Sequence, residues 1–427
     1  MRAIILTAAP LIEPHPLMLS PFVAMLLCIA LLPFILKRHW EQHYHMVAIV
    51  LAIIPIAYYV LFLRRPQRLF QEGRDYISFI ALLGSLFVVT GGIHIGVRGK
   101  TNPLKNSVFL LCGGLLANVI GNTGASVLLI RPWIRLNRGR YRGLHTAFFI
   151  FIMGNVGGGV TPLGPPLLLG YLKGVAFWWV ALQCWKPRLI TIISLVAIFY
   201  ALDSMSFRRA PVQICQEDTD TAEFVRFKGQ RNLWFLAIIL TAVFVRHPPF
   251  VREILMLTAA AASYRLTPKS IHQANRFSFH PIQEVAWLFL GIFATMVPVL
   301  DYLQFHADHF ALNTPAQYFC ITGGLSSVLD NAPTYLTFFS IALGRQQLSS
   351  ENPIDTAHFL ETGGSATLVA ISMGAVIFGS LTYIDNGPNF LVKSTVQEAR
   401  LHAPGFSAVY SNIRCRCFCR FSCSFGF

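Results

Sequence analysis

Long apolar runs separated by short polar segments dominate the chain from about residue 17 onward. A helix crossing roughly 30 Å of hydrocarbon takes about 20 apolar residues. Uninterrupted candidates lie at 17–36, 45–63, 76–97, 188–202, 232–246, 250–266 and 284–303. Four more apolar stretches are interrupted by polar, Gly and Pro residues. These are 107–136 around Gly121-Asn122-Thr123-Gly124, 144–171 around Gly157-Gly158-Gly159-Val160-Thr161-Pro162, 316–343 around Asp330-Asn331-Ala332-Pro333, and 363–391 around Asp385-Asn386-Gly387-Pro388. Opened backbone at membrane depth is tolerated only where it is buried in protein or lines a cavity. The pattern predicts an all-α polytopic membrane protein with its special chemistry at the interruptions.

Loop charge predicts the orientation, because cytoplasmic loops collect Lys and Arg. The 107–136 stretch is preceded by Arg98, Lys100 and Lys105, and Arg131, Arg135, Arg138, Arg140 and Arg142 fall at its far end. Both flanks are expected inside, which makes the segment a re-entrant hairpin with Asn122 and Thr123 at its tip. No Lys or Arg occurs in 304–315, and after 316–343 only Arg345 stands against Glu351, Asp355 and Glu361, so the second hairpin is expected to enter from outside. The resulting scheme is an inverted repeat, an architecture of secondary carriers. Its first unit is 17–202, with three helices, hairpin 107–136, broken helix 144–171 and helix 188–202. A cytoplasmic linker 203–231 follows. The second unit, 232–405, has three helices, hairpin 316–343 and broken helix 363–391, with the final helix missing and an atypical Cys/Arg-rich tail at 406–427. The motif Val119-Ile120-Gly121-Asn122-Thr123-Gly124 echoes Val328-Leu329-Asp330-Asn331-Ala332-Pro333 at the two tips. One loop runs against the charge rule: 64–75 holds four Arg yet falls outside, beside Glu72 and Asp75.

Of the 427 residues 54% are hydrophobic and 12% charged, against about 25% charged in soluble domains. The net charge of +15 would suggest nucleic acid in a soluble chain. Here the basic residues sit between apolar runs and belong to topology, so the lipid bilayer is the expected partner and nucleic acid is not. Four of nine cysteines crowd into the last thirteen residues and the rest are scattered, which is no disulfide framework. The first apolar run is too long for a cleaved signal. The tail reads as the replacement of a lost apolar helix by frameshift or truncation.

A carboxylate inside an apolar span costs at least about 2.5 kcal/mol and usually faces a water-filled path or a partner. Asp330 and Asp385 are the deepest carboxylates, and each is followed by Asn and then a helix breaker. Oxygen-only clusters suit hard cations, so a sodium site is expected at Asp330, Asp385, Asn122 and Asn331, with Asn386 adjoining. Competition of a proton with sodium for such carboxylates is the minimal mechanism of a cation/proton antiporter. Asn122, Thr123, Asn155 and Thr161 line the path with neutral oxygens. The plainer alternative is that Asn and Thr beside Gly and Pro cap the broken helix ends. No cofactor is expected, only sodium and protons as transported or coupling ions.

The Asn-Thr and Asp-Asn tips, the Gly-Gly-Gly-Val-Thr-Pro-Leu-Gly-Pro-Pro stretch at 157–166 and the Asp-Asn-Gly-Pro-Asn run at 385–389 resemble the ion-transporter superfamily. Within it the chain is most similar to NhaD-type sodium/proton antiporters and the related citrate transporter family, from about residue 17 to 405. The resemblance implies a secondary transporter, commonly a homodimer, in which a domain of hairpins and broken helices moves past a scaffold. It puts Asn122, Thr123, Asp330 and Asn331 at hairpin tips and Asn155, Thr161, Asp385 and Asn386 in the broken helices. A multi-pass protein of the bacterial inner (plasma) membrane is expected.

Carboxylate carriers of this kind resemble each other in neutral Ser-Asn-Thr tips, whereas one tip here reads Gly-Asn-Thr and the other Asp-Asn-Ala. Like charge at Asp330 and Asp385 would repel a di- or tricarboxylate, which favours antiport over the alternative of citrate or dicarboxylate anion transport. Arg131 could serve an anion but reads more simply as an interfacial anchor. An intramembrane aspartyl protease also needs two Asp in separate spans, but Asp385 lacks the Gly-x-Gly-Asp partner, and no P-loop or His-Glu-x-x-His occurs. A non-enzymatic carrier is expected. His39, His43 and His45 read as a solvated loop tract, Trp178, Trp179 and Trp185 as an outer aromatic belt, and His94 as a packing residue near a helix end.

Overall fold

The computed structural model describes residues 13–98, 101–208, 224–245, 247–381, 387–399 and 401. Asp385 and Asn386, and the 402–427 tail, lie outside the described residues. Helices α1 Ser20–Ile35, α2 Lys37–Ala57 and α3 Pro66–Gly91 come first, with a wide turn Tyr58–Phe62 closing α2. Strand β1 His94–Arg98 leads into α4 Pro103–Leu136, then α5 Gly143–Phe149 with its widened continuation Ile150–Val156, α6 Pro165–Leu172 and α7 Phe177–Arg208. After β2 Phe224–Lys228 come α8 Asn232–Ala242, α9 Val251–Leu266, α10 Lys269–Ala274 and α11 His280–Phe305. The remaining helices are α12 Pro315–Ser326, α13 Asn331–Gly344, α14 Pro353–Phe359 continued through Leu360–Gly364 into α15 Ser365–Phe378, and α16 Gly387–Glu398. Among the described residues seven helices are long and apolar enough to cross a membrane. The chain is an all-α, multi-pass integral membrane protein.

The 34 residues of α4 do not form one rod. Gly121 takes φ 72 and ψ 161, and Asn106 Nδ2 donates to Asn137 Oδ1 at 2.8 Å, residues that a straight helix would hold about 46 Å apart. The helix is therefore folded into a hairpin whose turn needs a residue free of Cβ: Leu163 O lies 2.9 Å from where one would sit. A second hairpin is formed by α12 and α13. Its base is closed by Arg345, which donates to the Phe310 and Leu312 carbonyls and to Asn313 Oδ1.

Two ends of the molecule are held by different polar networks. At one end β1 pairs antiparallel with β2, joining the segment after α3 to the linker after α7. Close by, Arg140 clasps Asp203 through two nitrogens at 2.5 and 3.0 Å, and Asn106 donates to the same carboxylate at 3.0 Å, pinning the first hairpin's base to α7. At the opposite end Arg68 and Lys173 bind Glu72, Asp301 and Glu351, near the second hairpin's base. Between them α3 and α11, each of 26 residues, pack antiparallel through the stacked rings of Phe79 and Phe289.

Several boundaries differ from the sequence expectation. The second span starts at Lys37, not residue 45, so His39, His43 and His45 lie on the first turns of a helix rather than in a loop. His94 lies in β1 and hydrogen-bonds Asn275 Oδ1 at 2.7 Å. The 232–246 run yields an 11-residue α8, which rises only about 17 Å and is too short to span. The expected 188–202 span begins at Phe177, which carries Arg188 three turns into a helix.

If Gly121 serves the turn and not merely the packing, Gly121→Ala should lower stability by about 1–3 kcal/mol. Gly73 has open space around it within a helix, so Gly73→Ala should raise stability by up to about 1 kcal/mol. Thermal unfolding in detergent reads both; equal shifts would remove the conformational argument.

Candidate functional site

Each hairpin tip meets the break of the helix that follows it. After α5 the wide turn ends at Val156, and the chain runs without regular structure from Gly157 to Gly164 before α6. That stretch leaves backbone groups without helical partners, and the first tip supplies them. Asn118 Oδ1 accepts from Val160 N at 2.8 Å, the Asn118 carbonyl accepts from Thr161 Oγ1 at 2.6 Å, and Asn122 Nδ2 donates to the Asn155 carbonyl at 3.1 Å. Asn155, fully buried, donates to Asn389 Oδ1 at 2.9 Å, and Asn389 Nδ2 reaches the Gly379 carbonyl at 3.3 Å. Gly379 in turn packs on Asn331, whose Cβ lies 3.1 Å from where a Gly379 Cβ would sit. A continuous chain of contacts thus links Asn122, Asn155, Asn389, Gly379 and Asn331, from one hairpin tip to the other.

Four of the sequence-derived residues, Asn122, Asn155, Thr161 and Asn331, fall on this chain or brace it. Thr123 follows Asn122, half-buried, on the returning limb of the hairpin. Asp330 stands at the second tip. It is the N-cap of α13: Oδ1 accepts from Ala332 N at 2.9 Å and its carbonyl accepts from Thr334 Oγ1 at 2.8 Å. Among the described residues no group of three or more His, Cys, Asp or Glu could hold a metal ion. Two acceptors do remain at the tips: among the described residues Asn122 Oδ1 and Asn331 Oδ1 are buried without a hydrogen-bond partner. An amide oxygen without a donor in a dry site suits a hard monovalent cation.

The residue absent from the sequence reading is Arg188. It is fully buried on α7, about 17 Å along the helix from its start, and among the described residues Nε, Nη1 and Nη2 have no hydrogen-bond partner. Its guanidinium lies over the break, where a Cβ at Gly159 would collide with Nη1, while a Cβ at Gly158 would collide with Asn122 Oδ1. The glycine run therefore gives Arg188 and the first tip access to adjoining backbone positions. Cys184, one turn earlier, approaches the guanidinium, but a thiol is a weak acceptor. A buried guanidinium without a counter-charge is costly. It is the residue type best shaped to clasp a carboxylate through two parallel hydrogen bonds.

A family model described as "Putative citrate transport" matches residues 13–418. The chain belongs to that family. No curated protein matches it. Membership makes the chain a secondary transporter of the ion-transporter kind, in agreement with the multi-pass fold.

An unpaired buried charge has a measurable signature. Replacing it by an apolar residue of similar volume should be neutral or stabilising by about 1–4 kcal/mol, so Arg188→Met should unfold no earlier than the parent in ligand-free detergent. A carboxylate ligand clasped by this guanidinium would stabilise the parent by mass action and leave Arg188→Met unchanged. A large loss of stability in Arg188→Met without ligand would show that Arg188 has a structural counter-ion.

Proposed function

We infer that the protein carries a di- or tricarboxylate anion of the citrate kind across the membrane, with sodium or protons as coupling ions. The observation that carries this reading is the buried, unpartnered Arg188 over the Gly157–Gly159 break. In a low-dielectric interior such a charge attracts an anion and repels a free cation, so it suits a carboxylate substrate better than bare cation exchange. The carboxylate would bind the guanidinium fork. The orphan oxygens of Asn122 and Asn331 would take coupling cations at the two tips, neutralising the remaining substrate charge. Asp330 is less of an obstacle than its charge suggests, because its carboxylate is engaged by the α13 N-terminus, where the helix dipole favours a negative group.

The hairpin bases at opposite ends and the antiparallel α3 and α11 support an inverted repeat with re-entrant hairpins entering from opposite membrane faces. In that arrangement cysteine at exposed Arg138 reacts with an impermeant thiol reagent only from the cytoplasm, and one at exposed Gln347 only from outside. Labelling of both from one face would rule the repeat out.

Cation/proton antiport is the second reading, favoured by Asp330 standing beside Asn331 at a hairpin tip. Proteoliposomes separate the two. Citrate uptake driven by an inward sodium or proton gradient, abolished in Arg188→Met and shifted roughly tenfold in KM in Arg188→Lys for want of the planar fork, is the expected result. Sodium-evoked proton flux without uptake of any di- or tricarboxylate, and unchanged in Arg188→Met, would assign the protein to antiport instead.

A further inference from the structure

At the end of the molecule away from the β1–β2 pair lies a buried ion cluster that the transport site does not use. Lys173 Nζ contacts Glu72 Oε2 at 3.0 Å, Asp75 Oδ2 at 3.1 Å and Glu351 Oε1 at 2.9 Å. Arg68 Nη1 contacts the same Glu72 and Glu351 oxygens at 3.0 and 3.1 Å, and Arg68 Nε contacts Asp301 Oδ1 at 3.0 Å. Tyr59 donates its hydroxyl to Asp301 Oδ2 at 2.7 Å. Arg74, exposed on α3, is the remaining cation that faces Glu351. Two buried cations thus meet four carboxylates. The mismatch also shows in single atoms, because Glu72 Oε1 and Arg68 Nη2 are buried with no hydrogen-bond partner.

An excess of buried carboxylate is neutralised by taking up a proton or a cation. The four carboxylates are not held equally. Glu72 Oε2 and Glu351 Oε1 each bridge both cations, and Asp301 has a donor on each oxygen. Asp75 has the single Lys173 contact, and its side chain is 13% accessible. Burial works against charge on Glu351, yet Arg68 and Lys173 hold its carboxyl below the usual range. Burial likewise works against charge on Lys173, but Glu351, Glu72 and Asp75 outweigh it and keep the ammonium protonated.

We propose that Asp75 is a proton-binding site through which the pH on its side of the membrane controls transport. The inference rests on the transporter reading, whichever substrate is carried. An O–H bond forms on the Asp75 carboxylate as one breaks in hydronium from the adjoining solution, and the cluster loses one of its excess negative charges. Lys173 is then held by two carboxylates instead of three. Lys173 follows α6 directly and Glu351 precedes α14, so the cluster is joined through these helices to both breaks. Protonation at Asp75 thereby loosens the tie between α3 and the half-helices that flank the substrate site.

Infrared difference spectroscopy of the purified full chain tests the site without any transport assay. The parent should show a protonated-carboxyl band that fades on alkalinisation, lost in Asp75→Asn and present in Asp75→Glu. In proteoliposomes Asp75→Asn should keep citrate exchange at equal pH while the response of net uptake to a pH gradient falls by about tenfold, with Asp75→Glu restoring it. A carboxyl band unchanged in Asp75→Asn overturns the proposal, as does a cluster that responds to added sodium and not to pH. Absence of citrate exchange in the parent would count against the substrate reading alone, since the infrared result stands apart from it.

Discussion

Everything in this fold follows from one constraint: backbone opened inside a membrane has no water to bond with, so protein must supply each partner. The break after Val156 is held by Asn118, whose side-chain oxygen and carbonyl accept from Val160 N and Thr161 Oγ1, and by Asn122, whose amide donates to the Asn155 carbonyl just before it. Those amides arrive because Gly121 turns α4 back on itself at that level. Removing the hairpin would leave the break unsatisfied, and removing the break would leave the tip amides buried without partners. The pair is stable only as a unit.

Against that background of mutual satisfaction the exceptions carry the chemistry. Asn122 Oδ1, Asn331 Oδ1 and the three guanidinium nitrogens of Arg188 are buried and unpaired in a neighbourhood where other amides are bonded. The orphans are of complementary kinds, acceptors at the tips and donors on α7. An anion accompanied by cations would answer both kinds, the anion at the guanidinium and the cations at the amide oxygens. Asp330 caps α13 through Oδ1, so its place at the tip also serves helix termination.

Much of this arrangement was legible in the residues. The Gly-Asn-Thr and Asp-Asn-Ala tips fall where the chain turns. Asn122, Asn155, Thr161 and Asn331 fall on or beside the line of contacts between the tips. Arg188 stands at the very start of the expected 188–202 run, so that run by itself gives it no place at membrane depth. A signal did exist: 15 residues, 188–202, rise only about 22 Å, short of the hydrocarbon thickness, so the helix had to extend back past Arg188 into the interfacial tryptophans. Asn389 closes the Asp-Asn-Gly-Pro-Asn run at 385–389, whereas Asn118 gave no such sign, since nothing in its spacing separates a bracing amide from a surface one. The Arg-rich 64–75 segment looked like a breach of the charge rule. Arg68 is in fact buried in α3 against Asp301 and Glu351, partners more than two hundred residues away that no local pattern reveals.

The two terminal networks show how ion clusters of similar composition differ in kind. Around Asp203, one carboxylate receives both nitrogens of Arg140 and the Asn106 amide, with His145 Nε2 at 3.3 Å, so its lone pairs are filled from several sides. A pair so balanced has little reason to exchange protons, and it joins the hairpin base to α7 as a fixed brace. Around Lys173 the carboxylates outnumber the buried cations. Such a cluster is stabilised by whatever neutralises it, and its stability therefore depends on the solution outside. The brace holds the end where the first hairpin is anchored, and the responsive cluster holds the end reached by α6 and α14. A carrier that must stay assembled while it changes conformation needs both kinds: one network insensitive to its surroundings, and one whose strength changes with the ion it meets.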